Sequence, residues 1–246
     1  MFDHVTIRVS DRDASTRFYD AVLRTLGLER APSEQWIEWG DFSISQATDE
    51  SPVTRRLHVA FFAPTHAEVD EFWRVGTEAG YSDDGAPGPR PQYSRSYYGS
   101  FLLDPDGNSA EAVSHATQRQ RGSIDHLWIR VADVAASKRF YEAIAPHARF
   151  HLGADEPDRA QFVGAGGSFS VVSGEPTEHL HVAFPAADNE TVDAFHRAGV
   201  EAGYASNGGP GERPIYHEGY YGAFILDPDG NNVEVVNHNR KTALRA

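Results

Sequence analysis

The same succession of motifs is written twice in this chain. DHVTIRVSDRDASTRFYDA at 3–21 returns as DHLWIRVADVAASKRFYEA at 125–143, LHVAF at 57–61 returns at 180–184, and EAGY at 78–81 returns at 201–204. YYG at 97–99 returns at 220–222, and LDPDGNSAE at 103–111 returns as LDPDGNNVE at 226–234. The offset is 122 residues at the start (3 to 125) and 123 from LHVAF onward (57 to 180), so one inserted residue separates the copies. In a chain of 246 residues such a duplication predicts two domains of ordinary size, 1–116 and 123–240. The polar ATQRQRGS at 116–123 reads as the linker between them.

Within each copy an order of strand, helix and further strands occurs twice. Residues 3–9 alternate apolar and polar and predict a strand; 13–26 has helical spacing with Asp11 or Asp13 as N-cap, and strand-like pieces run through 36–45. The order restarts with a strand at 57–62, a helix at 66–79 closed by Gly80, and strands at 97–103 and 109–113 joined by Asp-Pro-Asp-Gly. In that turn Pro105 and Pro228 fix φ, while Gly107 and Gly230 supply the positive φ that returns the chain as a strand. The Gly/Pro-rich DDGAPGPRPQY (83–93) and SNGGPGERPIYHEGYY (206–221) read as loops, either lids over a cleft or ordered connectors.

Strand alternation assigns faces. Val5, Ile7 and Val9 share the face that suits a helix layer, which leaves His4, Thr6 and Arg8 on the other; Leu127, Ile129 and Val131 leave His126, Trp128 and Arg130 in the same way. Leu57, Val59 and Phe61 put His58 opposite the helices, and His181 falls likewise; Val233 and Val235 oppose Glu234, and Ala110 and Ala112 oppose Glu111. Each copy therefore aims two histidines and one glutamate onto the concave side of a sheet. Two His and one carboxylate from separate strands form the ligand set of a facial triad for a divalent ion, with Fe(II) favoured and Mn, Zn or Ni as further candidates.

Composition narrows the partners. A net charge of −14 disfavours nucleic acid and anionic membrane surfaces, both of which reward a basic patch. The absence of cysteine removes disulfides, thiolate metal sites and a cysteine nucleophile. MFDHVTIRVS already reads as a strand rather than a targeting segment, and there is no run of 18 apolar residues. The expectation is a cytoplasmic protein with a small-molecule substrate, no nucleic-acid or membrane partner, and room for a homodimer.

With His on the first strand, His in HVAF and Glu after DPDGN, the chain resembles the vicinal oxygen chelate superfamily: glyoxalase I, fosfomycin resistance proteins, extradiol dioxygenases and bleomycin resistance proteins. The likeness covers nearly the whole chain, once per copy. It implies an α+β fold of two tandem domains, each of two βαβββ units forming a curled mixed sheet with helices outside. It implies a metal held in one cleft by His4, His58 and Glu111, and in the other by His126, His181 and Glu234. Whether the strand-helix halves pair within a copy or swap between copies is left open. The ligand set resembles that of extradiol dioxygenases and fosfomycin transferases more than that of glyoxalase I. Against the extradiol pattern, His217, Pro228, Gly230 and Glu234 fit, whereas Phe224 stands where a Tyr is usual, Phe101 does so in the first copy, and Ser94 replaces His217 there.

The resemblance implies, as the expected function, a metal-dependent enzyme on a small oxygenated substrate, dioxygenase-like or a glyoxalase-like lyase or isomerase. The rival is a binding protein of the bleomycin-resistance kind that sequesters a ligand without catalysis. His217, Tyr216 and Tyr221 are the candidate catalytic residues, with Tyr220 beside them; Arg8, Arg130, Trp128 and Arg213 are candidate substrate contacts. Arg8 and Arg130 suit a carboxylate or phosphate clamp, or a salt bridge to Asp3, Asp125 or another cleft carboxylate. His115 and His238 are expected at the rim, and His179 at the surface or behind the ligands.

Overall fold

The computed structural model describes residues 1–32, 36–116 and 123–239; most of the expected linker lies outside them. The first copy contains β1 (His4–Val9), α1 (Arg12–Arg24), β2 (Ile37–Trp39) and β3 (Phe42–Gln46), then β4 (Leu57–Phe62), α2 (His66–Glu78), β5 (Asp83–Pro89), β6 (Tyr98–Leu103) and β7 (Ser109–Ser114). The second contains β8 (Ile124–Val131), α3 (Val134–Ala148), β9 (Phe150–Glu156), β10 (Arg159–Gly164) and β11 (Gly167–Ser173), then β12 (His181–Pro185), α4 (Asn189–Glu201), β13 (Ser206–Glu212), β14 (Tyr221–Leu226) and β15 (Asn232–Asn237). Asp11, not Asp13, caps α1: its carboxylate accepts from the Ala14 amide at 2.9 Å, while Asp13 already lies in the first turn.

The strands form two open mixed sheets, and each sheet draws on both copies: the seven-stranded one takes three strands from the first copy and four from the second, the eight-stranded one four from each. The first runs β13-β14-β15-β12-β1-β3-β2, the second β5-β6-β7-β4-β8-β11-β10-β9. The seams are antiparallel: Thr6 of β1 pairs with His181 of β12, and His58 of β4 with Trp128 of β8. The sequence repeat is therefore not the unit of the sheet.

Helices do the opposite and hold each copy together. In the first copy α1 packs beside α2, with Phe18 edge-on to Tyr81; in the second α3 packs beside α4, with Phe140 edge-on to Tyr204. The first aspartate of each LDPDGN turn is buried and reaches the helix of its own copy: Tyr19 donates to Asp104 at 2.9 Å, and Tyr141 to Asp227 at 3.5 Å. With sheets joining the copies and helices joining the halves of a copy, a single apolar core runs through both.

The Gly/Pro-rich segments depart from the loop expectation. Their first halves are β5 and β13, edge strands with register shifts. Proline lacks the amide a central strand needs, but an edge or a bulge tolerates it. Arg90 and Arg213 staple these bulges, donating to the Ala86 and Gly209 carbonyls at 2.7 Å and lying over Phe101 and Phe224.

Candidate functional site

On the concave face of the first sheet, His4 from β1, His181 from β12 and Glu234 from β15 converge. His4 Nε2 is 3.0 Å from His181 Nε2 and 3.6 Å from Glu234 Oε2, and His181 Nε2 is 3.0 Å from the same oxygen. On the second sheet His58 Nε2 and His126 Nε2 approach Glu111 Oε2 at 2.9 and 3.4 Å. All six ligand-type residues thus sit on the concave faces, in two groups of three whose ligand atoms lie within 4.8 Å of one another. The grouping differs from the within-copy sets: His4 joins His181 and Glu234, and His126 joins His58 and Glu111. The cause is the seam, because β1 hydrogen-bonds to β12 and not to β4.

The HVAF alanine makes the convergence possible. His4 pairs with Ala183 and Ala183 with Glu234, so the small side chain stands between two ligands in one row; His126, Ala60 and Glu111 repeat this. Glycine clears the remaining space, since a Cβ on Gly222 would lie 2.6 Å from Glu234 Oε1, and one on Gly99 would lie 2.5 Å from Glu111 Oε1.

The donor set fits a divalent ion. Two donors each about 2.1 Å from one ion and at right angles lie about 3.0 Å apart, the spacing seen at the first centre. Both carboxylates are buried, and neither meets a lysine or arginine among the described residues. A buried anion facing two imidazole nitrogens is costly without a cation. One histidine at each centre, His4 and His126, is held towards its protonated form. Burial disfavours the charged His126, but hydrogen bonds and charge from Asp125 and Glu111 push it up to about 9. Burial would also raise Glu111, yet His126 and His58 hold it down at about 2. At the other centre burial lowers His181, while Asp3, Glu234 and Glu38 together raise His4 against its own burial.

A second layer fixes the ligands. Asp3 Oδ1 lies 2.9 Å from His4 Nδ1, and the Asn232 side-chain amide lies 2.7 Å from His181 Nδ1. Asp3 accepts from His4 Nδ1 and so turns the Nε2 lone pair of His4 towards an ion, while the Asn232 amide nitrogen, with its own oxygen held by Asn207 at 3.0 Å, fixes the ring of His181. The Tyr220 phenol donates to Glu234 Oε1 at 2.6 Å, leaving Oε2 for the histidines; Tyr97 does the same for Glu111. The Leu180 amide donates to Asn231, which anchors the DPDGN turn to the start of β12.

The centres differ in what lies above them. A cavity of about 600 Å³ opens over His4, His181 and Glu234, whereas about 170 Å³ remains over His58, Glu111 and His126. At the position of Thr6 the second copy carries Trp128, which packs against the rings of His58 and Tyr93 and fills the cleft.

The remaining expected residues distribute unevenly. Tyr216, His217 and Arg8 line the open cavity, and Trp128 and Arg130 the narrow one. Neither arginine makes the suggested salt bridge: Arg8 donates to the His179 carbonyl at 3.3 Å and Arg130 to that of Arg56 at 3.1 Å. Arg213 does not reach the cavity, being the staple of β13. Tyr221 also stands apart; alternation along β14 sends it to the helix side, where it donates to Asp193 at 2.8 Å, and it is Tyr220 that reaches the ligand. His217 Nε2 lies 2.8 Å from His238 Nδ1, and His238 Nε2 lies 2.9 Å from Asp3, so a chain of hydrogen bonds runs from the cavity wall to His4. His115 braces Asp125 at 2.8 Å, as His238 braces Asp3. Both rim histidines therefore stand behind the ligands. Exposed His179 contributes its carbonyl rather than its ring.

The fold and these centres define a class of protein with two curled sheets, each cupping a two-histidine, one-glutamate centre. The chain belongs to the glyoxalase/bleomycin resistance protein/dioxygenase superfamily, whose sequence profile matches residues 1–112 and again 123–235. In structure it is similar to glyoxalase I from Zea mays, with a TM-score of 0.70 and 20% identity over 96% of this chain and 92% of that one. It is also similar to a putative dioxygenase from Bacillus subtilis subsp. subtilis str. 168, with a TM-score of 0.65 and 13% identity over 97% and 85% of the respective chains. At these identities the likeness is one of fold. No curated protein matched in sequence. No helix among the described residues is long and apolar enough to cross a membrane.

Proposed function

We propose that the His4–His181–Glu234 centre is the active site of a divalent-metal-dependent enzyme acting on a small oxygenated substrate. The observation that carries this reading is a full ligand set beneath an open cavity of about 600 Å³, within the range of small-molecule sites. A bound ion supplies Lewis-acid stabilisation of charge developing on a substrate oxygen. The chain's own residues do the rest. Asp3 holds the His4 proton at Nδ1, Tyr220 holds Glu234 through Oε1, and Phe224 and Tyr220 line the cavity beside the ligands.

Phe224 lines the cavity where ring-cleaving relatives carry a tyrosine, which favours lyase or isomerase chemistry. The two-histidine, one-glutamate set itself favours Fe(II) and keeps a dioxygenase-like reaction as the second reading. Metal analysis of protein purified without added metal tests the proposal: divalent metal is expected, with part of it lost in His181→Ala. Near-zero content even after reconstitution refutes it in favour of ligand sequestration. Turnover that persists with redox-inert Zn(II) supports the first chemistry, and turnover that requires Fe(II) and dioxygen supports the second.

A further inference from the structure

The open cavity contains two charged side chains that form no ion pair among the described residues, although the charge of Glu38 acts on His4. Glu38 on β2 is half-buried and lines the cavity, and its carboxylate makes no hydrogen bond or ion pair with any described residue. The guanidinium of Arg8, also half-buried, donates among the described residues to the His179 carbonyl at 3.3 Å. Isolated charges removed from water are costly unless something pairs them.

Their placement relative to the ligands follows from register. Glu38 pairs with Ser43, Ser43 with Thr6, and Thr6 with His181, so the four residues form one row across β2, β3, β1 and β12. Three strand spacings put the Glu38 and His181 backbones about 14 Å apart, and side chains reaching inward over a concave sheet leave room for a few substrate atoms. Thr6 and Ser43, hydroxyl to hydroxyl at 2.7 Å, form the polar floor between them. Arg8 lies on the same face of β1, on the far side of Thr6 from His4. In the narrow site the equivalent row reads Gln161, Ser170, Trp128 and His58: the charge is gone and the floor is covered by indole. The unpaired carboxylate thus occurs only where there is space for a ligand.

We infer that Glu38 is a substrate contact that selects a hydrogen-bond donor, and that with Arg8 it fits the site to small organic anions bearing hydroxyl or ammonium groups. This rests on the open centre being the substrate site. The anionic end meets Arg8, the donor meets Glu38, and an oxygen of the same molecule faces His4, His181 and Glu234.

Calorimetric titration of the metal-loaded protein with three probes tests this: glycerate, which has a carboxylate and hydroxyls; propionate, which has only the carboxylate; and glycerol, which has only hydroxyls. Glycerate is expected to bind most tightly. Glu38→Gln, which matches Gln161 and removes only the charge, is expected to weaken glycerate by about tenfold and leave propionate unchanged, because hydrogen bonds to a charged acceptor exceed neutral ones by about that factor. Arg8→Met is expected to weaken both acids. Wild-type protein that binds glycerate no better than propionate overturns the inference, independently of how any variant folds, as does a Glu38→Gln variant with unchanged glycerate affinity. Metal content measured on the same samples separates the failures: full occupancy with these results overturns the inference alone, whereas wild-type protein that takes up no metal overturns the site reading beneath it.

Discussion

Tyr220→Phe removes one oxygen atom from the centre. That oxygen is the donor to Glu234 Oε1 at 2.6 Å, between a phenol 5% exposed and a carboxylate 1% exposed. A hydrogen bond to a charged acceptor contributes about 1.5–3 kcal/mol, and water cannot readily replace it at this depth. The loss leaves Oε1 buried without a donor and frees the carboxylate to rotate away from His4 and His181. Partners that orient ligands in this way are typically worth about 10- to 100-fold in metal affinity, which agrees with that free energy at about 1.4 kcal/mol per factor of ten. The neighbouring Tyr221 provides the control. Its phenol meets Asp193 on the helix side, so Tyr221→Phe should change affinity by less than about 0.5 kcal/mol. Competition of each variant against a chelator of known Zn(II) affinity reads both effects. Tyr220→Phe within twofold of wild type, or Tyr221→Phe weakening binding as much, would mean that the Tyr220 phenol does not hold Glu234 in place.

Gly222→Ala places a methyl 2.6 Å from Glu234 Oε1, so metal uptake at the open centre should fall sharply while the narrow centre, cleared by Gly99, keeps its own; site-resolved binding isotherms check this. Trp128→Thr should speed chelator-driven loss of metal from the narrow centre, because the indole covers it; an unchanged rate in stopped flow would show that Trp128 is not the cover. Burial lifts Asp227 to about 6, above its unfolded value, so the native state holds that proton more tightly; between about pH 6 and 4 wild type should gain up to about 3 kcal/mol over Asp227→Asn as pH falls. Carboxyl NMR titration with a midpoint near 4 would contradict this.

Much of the fold can be read from the repeat and from alternation, because each strand's local pattern fixes its buried face. That is why His4, His58, Glu111, His126, His181 and Glu234 could be placed on concave faces from sequence. Alternation does not say which strand lies alongside, however. β1 beside β4 and β1 beside β12 demand the same pattern of Val5, Ile7 and Val9, so the two groupings are indistinguishable before the seam is seen. The edge strands β5 and β13 were masked by Gly and Pro, which usually break strands but are tolerated at bulged edges. Tyr220 carried a usable signal: it lies four residues before the cavity-facing Phe224 and so continues its face, as Tyr221 does not. The filling of the narrow cleft by Trp128 was legible only as a Thr-to-Trp difference between copies, since the volume it occupies depends on Tyr93 and His58 around it.

Each centre is assembled across the two copies, with His4 serving His181 and Glu234. Metal stoichiometry of two double variants, measured by native mass spectrometry after reconstitution, tests it most directly. His4→Ala with His181→Ala damages one centre twice and should leave one ion per chain, because His58, Glu111 and His126 are intact. His4→Ala with His58→Ala damages both centres and should leave none. One ion in the His4/His58 variant together with none in the His4/His181 variant would mean that the ligands group within copies and not across them.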